Sequence, residues 1–423
     1  MHSDVLLFLE FREKVSVVRE AREMGFKVIL VTKKAISAAR ELFDEILEVD
    51  LSVPQEVEEL VHILKNRSSI RGIVCNYEPF VLHKAFLAEK LGLKSSSPLA
   101  AARSRNKALQ RQSLANLAEN VPFHMVRTFA QAKEAFERFG SDAYLKSLAG
   151  VKSRFVFHVR SEAELQDAWK SFQQAEHDQD LYDDFVSFGF RFSYPDPKKY
   201  LLLEKACDGF QVALTSFVGQ DEVWHAPSLT DIYPASILGF EDSFLAFRML
   251  PSKLSDAQVE RARSIVEKVV QTLGLQYCGL HTELIIDRQG EYKIIEVASR
   301  LGGYRPFMYR EVYGMHLAQK LLQAVLGREL TLEKLVPAKY VSMMEIFPRS
   351  AGILHGIDGL EALKKDPAVS RLMEKKKAGD RVDLAKEGGT PVLTFLLSGA
   401  TYDEVYDRSL YYQQHLKVST KSI

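Results

Sequence analysis

Cysteine is scarce: the 423 residues hold three, Cys75, Cys207 and Cys278. They are odd in number and far apart, so the chain contains neither a disulfide framework nor a zinc spacing. A reducing cytoplasm is the expected setting. An excess charge of either sign is also lacking. Lys plus Arg and Asp plus Glu each number 56, for a formal net charge of zero. No basic run supplies the electrostatic footprint of a nucleic-acid binder or of an acidic-membrane binder. No apolar run approaches the ~20 residues of a membrane span. The run VLLFL near the start is too short for a secretory signal, and Asp4 precedes it. No G-x-G-x-x-G follows that run, which removes the dinucleotide-binding reading of the first strand. The apolar share of 46 % and the charged share of 26 % are those of an ordinary folded protein. The length suits two to four domains at roughly 100–200 residues each. Internal repeats and low-complexity tracts are missing as well.

The first hundred residues alternate between apolar runs and helical periods. Strands are expected at 4–9, 26–32, 45–49 and 71–75, with helices at 13–24, 35–42, 53–64 and 79–91. Such β-α alternation implies a parallel sheet covered by helices on both faces. The tips at 10–12 and 76–78 follow strand C-termini, where open α/β sheets place ligands. Loop polarity explains them equally well.

The densest chemistry lies in His281–Tyr304, HTELIIDRQGEYKIIEVASRLGGY. Strands at 281–286 and 292–297 flank DRQGE, a hairpin signal. With Asp287 facing Tyr292 across a four-residue loop, Glu283 falls opposite Glu296. Facing like charges destabilise a ladder. A hard divalent cation between them reverses that sign, since Mg²⁺ is held by one or two carboxylates and completed by phosphates. Arg300 adds a permanent charge that can grip a phosphate or carboxylate bidentately. Gly302 and Gly303 let backbone approach a ligand, and Tyr304 follows them. The bland alternative is a surface hairpin with solvated glutamates.

E-V-A-S-R-L-G-G with an upstream H-T-E resembles the metal-binding hairpin of ATP-grasp enzymes, and its E-x-A-x-R form is most similar to the L-amino acid ligase branch, which makes dipeptides. The resemblance implies an α/β and α+β fold in three parts. These are a Rossmann-like pre-ATP-grasp domain (1–100), an ATP-grasp core (101–336, with 143–204 in the smaller nucleotide-covering lobe) and a small C-terminal α+β lobe (337–423). It also implies site roles. Glu283 and Glu296 would bind Mg²⁺, with Mn²⁺ as a substitute. Lys107 and Lys146 would contact the phosphates of ATP, and Ser153 lies in the loop that closes over them. Glu204, Lys205 and Cys207 match the hinge lining the adenine pocket. Gln211 stands where a ribose-binding Glu is common. Ala298 replaces the Asn of many superfamily members but agrees with the ligase branch. Arg300, Gly302, Gly303 and Tyr304 would face the substrates, Tyr304 shaping the pocket of the first amino acid.

Further along, a strand pair is expected at 143–159, a helix at 161–174, an insertion or lid at 177–199 and strands at 200–218. A strand and loop are expected at 224–233, a linker at 248–251 and helices at 255–273 and 315–326. The C-terminal part reads as strands at 340–347 and 391–399 with helices at 359–365 and 402–416. The expected function is a carboxylate–amine ligase, working through an acyl phosphate on small-molecule substrates, as a homodimer. A carboxylase acting through carboxyphosphate and a nucleotide-binding protein without turnover are the alternatives.

Overall fold

The computed structural model describes residues 4–11, 15–67, 69–150, 155–174, 195–240, 244–331, 335–385 and 389–422. Ser153 and most of the 177–199 insertion fall outside these residues. Among those described, no helix is long and apolar enough to cross a membrane.

The N-terminal alternation gives a four-stranded parallel sheet, ordered Glu45–Glu48, Lys27–Thr32, Val5–Leu9, Ile70–Val74. Its strands are apolar on both faces, as helices covering both sides require. One face shares a core with the rest of the protein. Leu6, Phe8 and Val74 pack with Leu317, Leu321 and Val325 of the helix Leu317–Leu326. A Cβ on Gly72 would stand 3.1 Å from Val325 Cγ1, so this docking is close.

A four-stranded antiparallel sheet follows, ordered Phe123–Val126, Leu201–Lys205, Ala143–Ser147, Val156–Val159. The largest sheet is antiparallel and runs Tyr292–Ala298, Cys278–Ile286, Phe210–Val218, Thr230–Pro234, Leu245–Leu250, Tyr340–Ile346, Leu393–Gly399, Val369–Glu374. The helix Asp256–Leu273 covers one face, capped at its start by the reciprocal Ser255–Gln258 box.

Three expectations change. The segment 248–251, expected to be a linker, lies largely within the strand Leu245–Leu250. An unforeseen helix, Arg305–Tyr313, follows the double glycine directly. The strands beyond Pro337 divide: Tyr340–Ile346, Leu393–Gly399 and Val369–Glu374 continue the central sheet, while Arg381–Val382, Gly352–Asp358 and Lys417–Lys421 form a small antiparallel sheet of their own.

The hairpin register also differs in an instructive way. Ile286 pairs with Tyr292, so the loop has five residues, Asp287 to Glu291, and the register beside it is one off from the expected one. A bulge between Leu284 and Glu283 absorbs the difference, and Glu283 does face Glu296. Ile294 and Val297 are both fully buried in one core cluster. In a regular strand residues three apart point to opposite faces. The extra residue, Ile295, restores the phase and turns Glu296 away from that core.

Candidate active site

The two facing carboxylates are held differently. Glu283 accepts hydrogen bonds on both oxygens, from His281 Nε2 at 3.1 Å and from Gln211 Nε2 at 3.0 Å. Burial opposes its ionisation. The His281 bond and the charges of Arg305 and Arg248 outweigh burial and hold Glu283 below the usual carboxylate range. Glu296 meets Lys107, whose Nζ lies 3.2 Å from Oε1 and also donates to Gly150 O at 3.0 Å. Lys107 thus bridges the Glu296 carboxylate and the Gly150 carbonyl. Asn106 positions it by capping the short helix Lys107–Ser113.

Lys146 forms a second, fully enclosed cluster. Its Nζ is 2.6 Å from Glu204 Oε2, and Arg111 Nε is 2.5 Å from Glu204 Oε1. Burial raises the pKa of Glu204, but Arg111 and Lys146 prevail and bring it to about 2. Arg111 also donates to Ile294 O at 2.7 Å and Ile295 O at 2.8 Å, the carbonyls at the bulge. The Glu204 side chain is therefore an internal partner of Lys146 and Arg111. In the hinge, Lys205 N–H donates to Pro122 O at 2.9 Å and Cys207 Sγ lies 3.7 Å from Lys205 O. A Cβ on Gly209 would stand 2.3 Å from Ile286 O, which allows glycine alone at this crossing onto the hairpin. Gln211, matched by resemblance to a ribose contact, spends its amide on Glu283.

Arg300 reaches across to the N-terminal sheet. Its Nε and Nη2 lie 3.0 and 2.6 Å from Glu78 Oε2, and its Nη1 donates to Leu301 O at 3.1 Å. Asn76 Oδ1 accepts from Leu301 N at 3.0 Å. Burial raises the pKa of Glu78, but Arg300, Arg105 and Lys107 pull it well below the carboxylate range. The strand-end tip at 76–78 is thus part of the site. Glu10, in the other tip, instead binds Thr32 and Lys33 N within its own sheet, and Arg12 is outside the described residues.

The two glycines separate. A Cβ on Gly302 would stand 2.8 Å from Arg305 Cγ and 3.0 Å from His281 Nδ1, whereas one on Gly303 would meet nothing within 4 Å. Internal packing requires glycine at position 302. Tyr304 caps the new helix, packs on the core, and donates its hydroxyl to Glu345 Oε1 at 3.0 Å.

His281, Glu78, Arg111, Arg248, Arg305 and Glu345 received no role from the sequence. His281 and Glu78 sit in stretches already singled out. Arg111 and Glu345 gave no local signal, because their ion-pair partners Glu204 and Arg248 lie more than 90 residues away. Among the described residues no three or more His, Cys, Asp or Glu cluster as a metal cage. Two acidic oxygen donors suit a hard divalent ion such as Mg²⁺, whose shell phosphates would complete.

Comparison with known proteins agrees with this arrangement. Residues 18–94 match the ATP-grasp N-terminal domain and 142–306 the ATP-grasp domain. Alanine–anticapsin ligase of Bacillus subtilis is 23% identical over 399 residues, 88% of this chain and 82% of that one. The L-amino acid ligase structure from Bacillus licheniformis superposes with a TM-score of 0.81 at 20% identity, covering 99% of each chain. N5-carboxyaminoimidazole ribonucleotide synthetase from Thermotoga maritima gives 0.70 at 16%, covering 99% of this chain and 100% of that one. With both domain matches in order along the chain and the facing glutamates inside the second, the protein belongs to the ATP-grasp family.

Proposed function

We propose that this protein is an ATP-dependent ligase that joins amino acids through an acyl phosphate, releasing ADP and phosphate. One juxtaposition carries the reading. The Arg300–Glu78 ion pair, opposite charges from two parts of the chain, adjoins the loop that leaves Glu296. An acid–base pair of this kind complements an ammonium and a carboxylate on one small molecule, which is what an α-amino acid presents.

Glu283 and Glu296 would hold Mg²⁺, which supplies charge neutralisation for the phosphates in transfer. Mn²⁺ offers the same ligand preference. Lys107 and Lys146 would exchange their carboxylate partners for phosphate oxygens when ATP enters. His281 and Gln211 hold Glu283 in one orientation, as outer-shell groups do for metal ligands. Arg300 places the substrate carboxylate and then meets the oxyanion formed when the amine attacks. The carbonyl of Lys205 and the amide of Cys207 are the groups this reading assigns to the adenine edge. In this scheme residues 101–336 carry the phosphoryl transfer, while 1–100 and 337–423 supply substrate walls. Cys75, Cys207 and Cys278, none of them in a disulfide, fit a cytoplasmic setting.

ATP consumption across a matrix of paired amino acids tests the proposal. ADP should appear with particular pairs and stay at background with either member alone. ADP release that needs bicarbonate and ignores amino acids would replace the ligase by carboxyphosphate chemistry.

A further inference from the structure

The strand Leu245–Leu250 carries a charged side chain that phosphoryl transfer leaves without a task. Arg248 gives Nη1 to Glu345 Oε2 at 2.5 Å, and its guanidinium lies 5.6 Å from the centre of the Tyr304 ring. The Tyr304 hydroxyl takes the other oxygen of Glu345. Glu345 is thereby fixed at both oxygens and holds Arg248 by one corner. Arg248 Nε and Nη2 make no hydrogen bond among the described residues, and neither is sealed from solvent. An open guanidinium edge therefore faces water from a side chain that is otherwise 13% exposed.

Behind it stands Arg305, 2% exposed, with Nε lacking any hydrogen-bond partner and Nη1 touching only the Met308 sulfur at 3.8 Å. Burial and the nearby Arg248 push Arg305 down to about 10. Arg300 is paired with Glu78 and Arg248 with Glu345, whereas Arg305 has no carboxylate within ion-pair distance among the described residues and feels Glu283 only through space. A buried guanidinium nitrogen without a partner beside a half-open one favours an incoming acceptor. Arg248 borders the Tyr304 ring at the end of the loop that carries Arg300, the loop assigned to the substrates, whereas Lys107 and Lys146, assigned to the phosphates, pair with Glu296 and Glu204.

We propose that the open edge of Arg248, backed by Arg305, is a seat for a substrate carboxylate; the assignment rests on the ligase reading above. Two carboxylates qualify: an acidic side chain on the activated amino acid, or the α-carboxylate of the amino acid that supplies the amine. Both demand the same planar, bidentate recognition.

The test compares wild type with Arg248→Met and Arg248→Lys, each checked for an unchanged melting temperature and an unchanged KM for ATP. One arm measures ADP release with L-glutamate against L-glutamine as activated substrate. The other uses L-alanine against L-alaninamide as acceptor. Arg248→Met should raise KM for the carboxylate-bearing member of one arm by about tenfold to a hundredfold and leave its uncharged counterpart unchanged. Arg248→Lys should recover part of the difference. The arm that responds names the source. Equal losses on charged and uncharged members in both arms would reduce Arg248–Glu345 to a structural ion pair and overturn the proposal. If no pair releases ADP, the ligase reading has failed. Calorimetry with the same four compounds, in the presence of ADP and Mg²⁺, then decides the seat separately. A carboxylate preference lost in Arg248→Met supports it, and no preference in wild type overturns it.

Discussion

Glu283 and Glu296 illustrate how much one pair of residues determines. Like charges directly opposite on a ladder are unfavourable, and the protein maintains them with neutral donors on one and a lysine on the other. Glu296→Gln keeps the shape and removes one ligating charge. Turnover should fall by about a thousandfold or more while the melting temperature stays within about 2 °C, because the lost neutralisation is worth several kcal/mol in the transition state. Retention of most of the rate at saturating Mg²⁺ would show that the hairpin is not the metal site. Glu204 tests burial instead. Its folded pKa of about 2 lies below the ordinary carboxylate value of 4.5. A depressed carboxylate stabilises the fold above its unfolded pKa, and that contribution disappears as pH falls through the folded value. About 3 kcal/mol should therefore be lost between about pH 4.5 and 2. Denaturant melts across this range should show the decline in wild type and a much flatter profile in Glu204→Gln.

At the scale of elements, the hairpin joins chemistry to architecture through its bulge. Ile295 lets Ile294 and Val297 share a core face while Glu296 points to the site. The carbonyls of Ile294 and Ile295 are taken by Arg111, which also neutralises Glu204. Arg111→Met should cost about 3–5 kcal/mol in chemical denaturation, since it leaves Glu204 buried with one partner fewer. Nucleotide affinity, read by fluorescence of a bound ATP analogue, should fall with it, because Lys146 is then drawn more tightly to Glu204. The two strands and the facing glutamates were legible in the sequence from alternation and loop composition. The bulge was not, because it depends on which side chains the helix Asp256–Leu273 covers. The segment 248–251 reads as a linker because its last residue is Pro251, which lies just past the end of the strand Leu245–Leu250. The helix after Gly303 was hidden because Tyr304 at its cap offers no capping oxygen.

Across the whole molecule, the site is assembled from distant parts of the chain. The N-terminal sheet contributes Glu78 and Asn76, the antiparallel lobe Lys146, the central sheet Glu283, Glu296 and Arg248, and the C-terminal strands Glu345. Local patterns revealed the sheets and the family's motifs. They did not reveal ion pairs such as Arg300–Glu78, which span 222 positions. The account's central claim is that the first substrate's carboxylate is activated by phosphorylation. The most direct measurement supplies that amino acid with ¹⁸O in its carboxylate and follows the label by mass spectrometry. One ¹⁸O should pass to the inorganic phosphate released with ADP, the other remaining in the product's amide carbonyl. Label found in AMP, or phosphate released without any label while product forms, would contradict the acyl phosphate and the reading built on it.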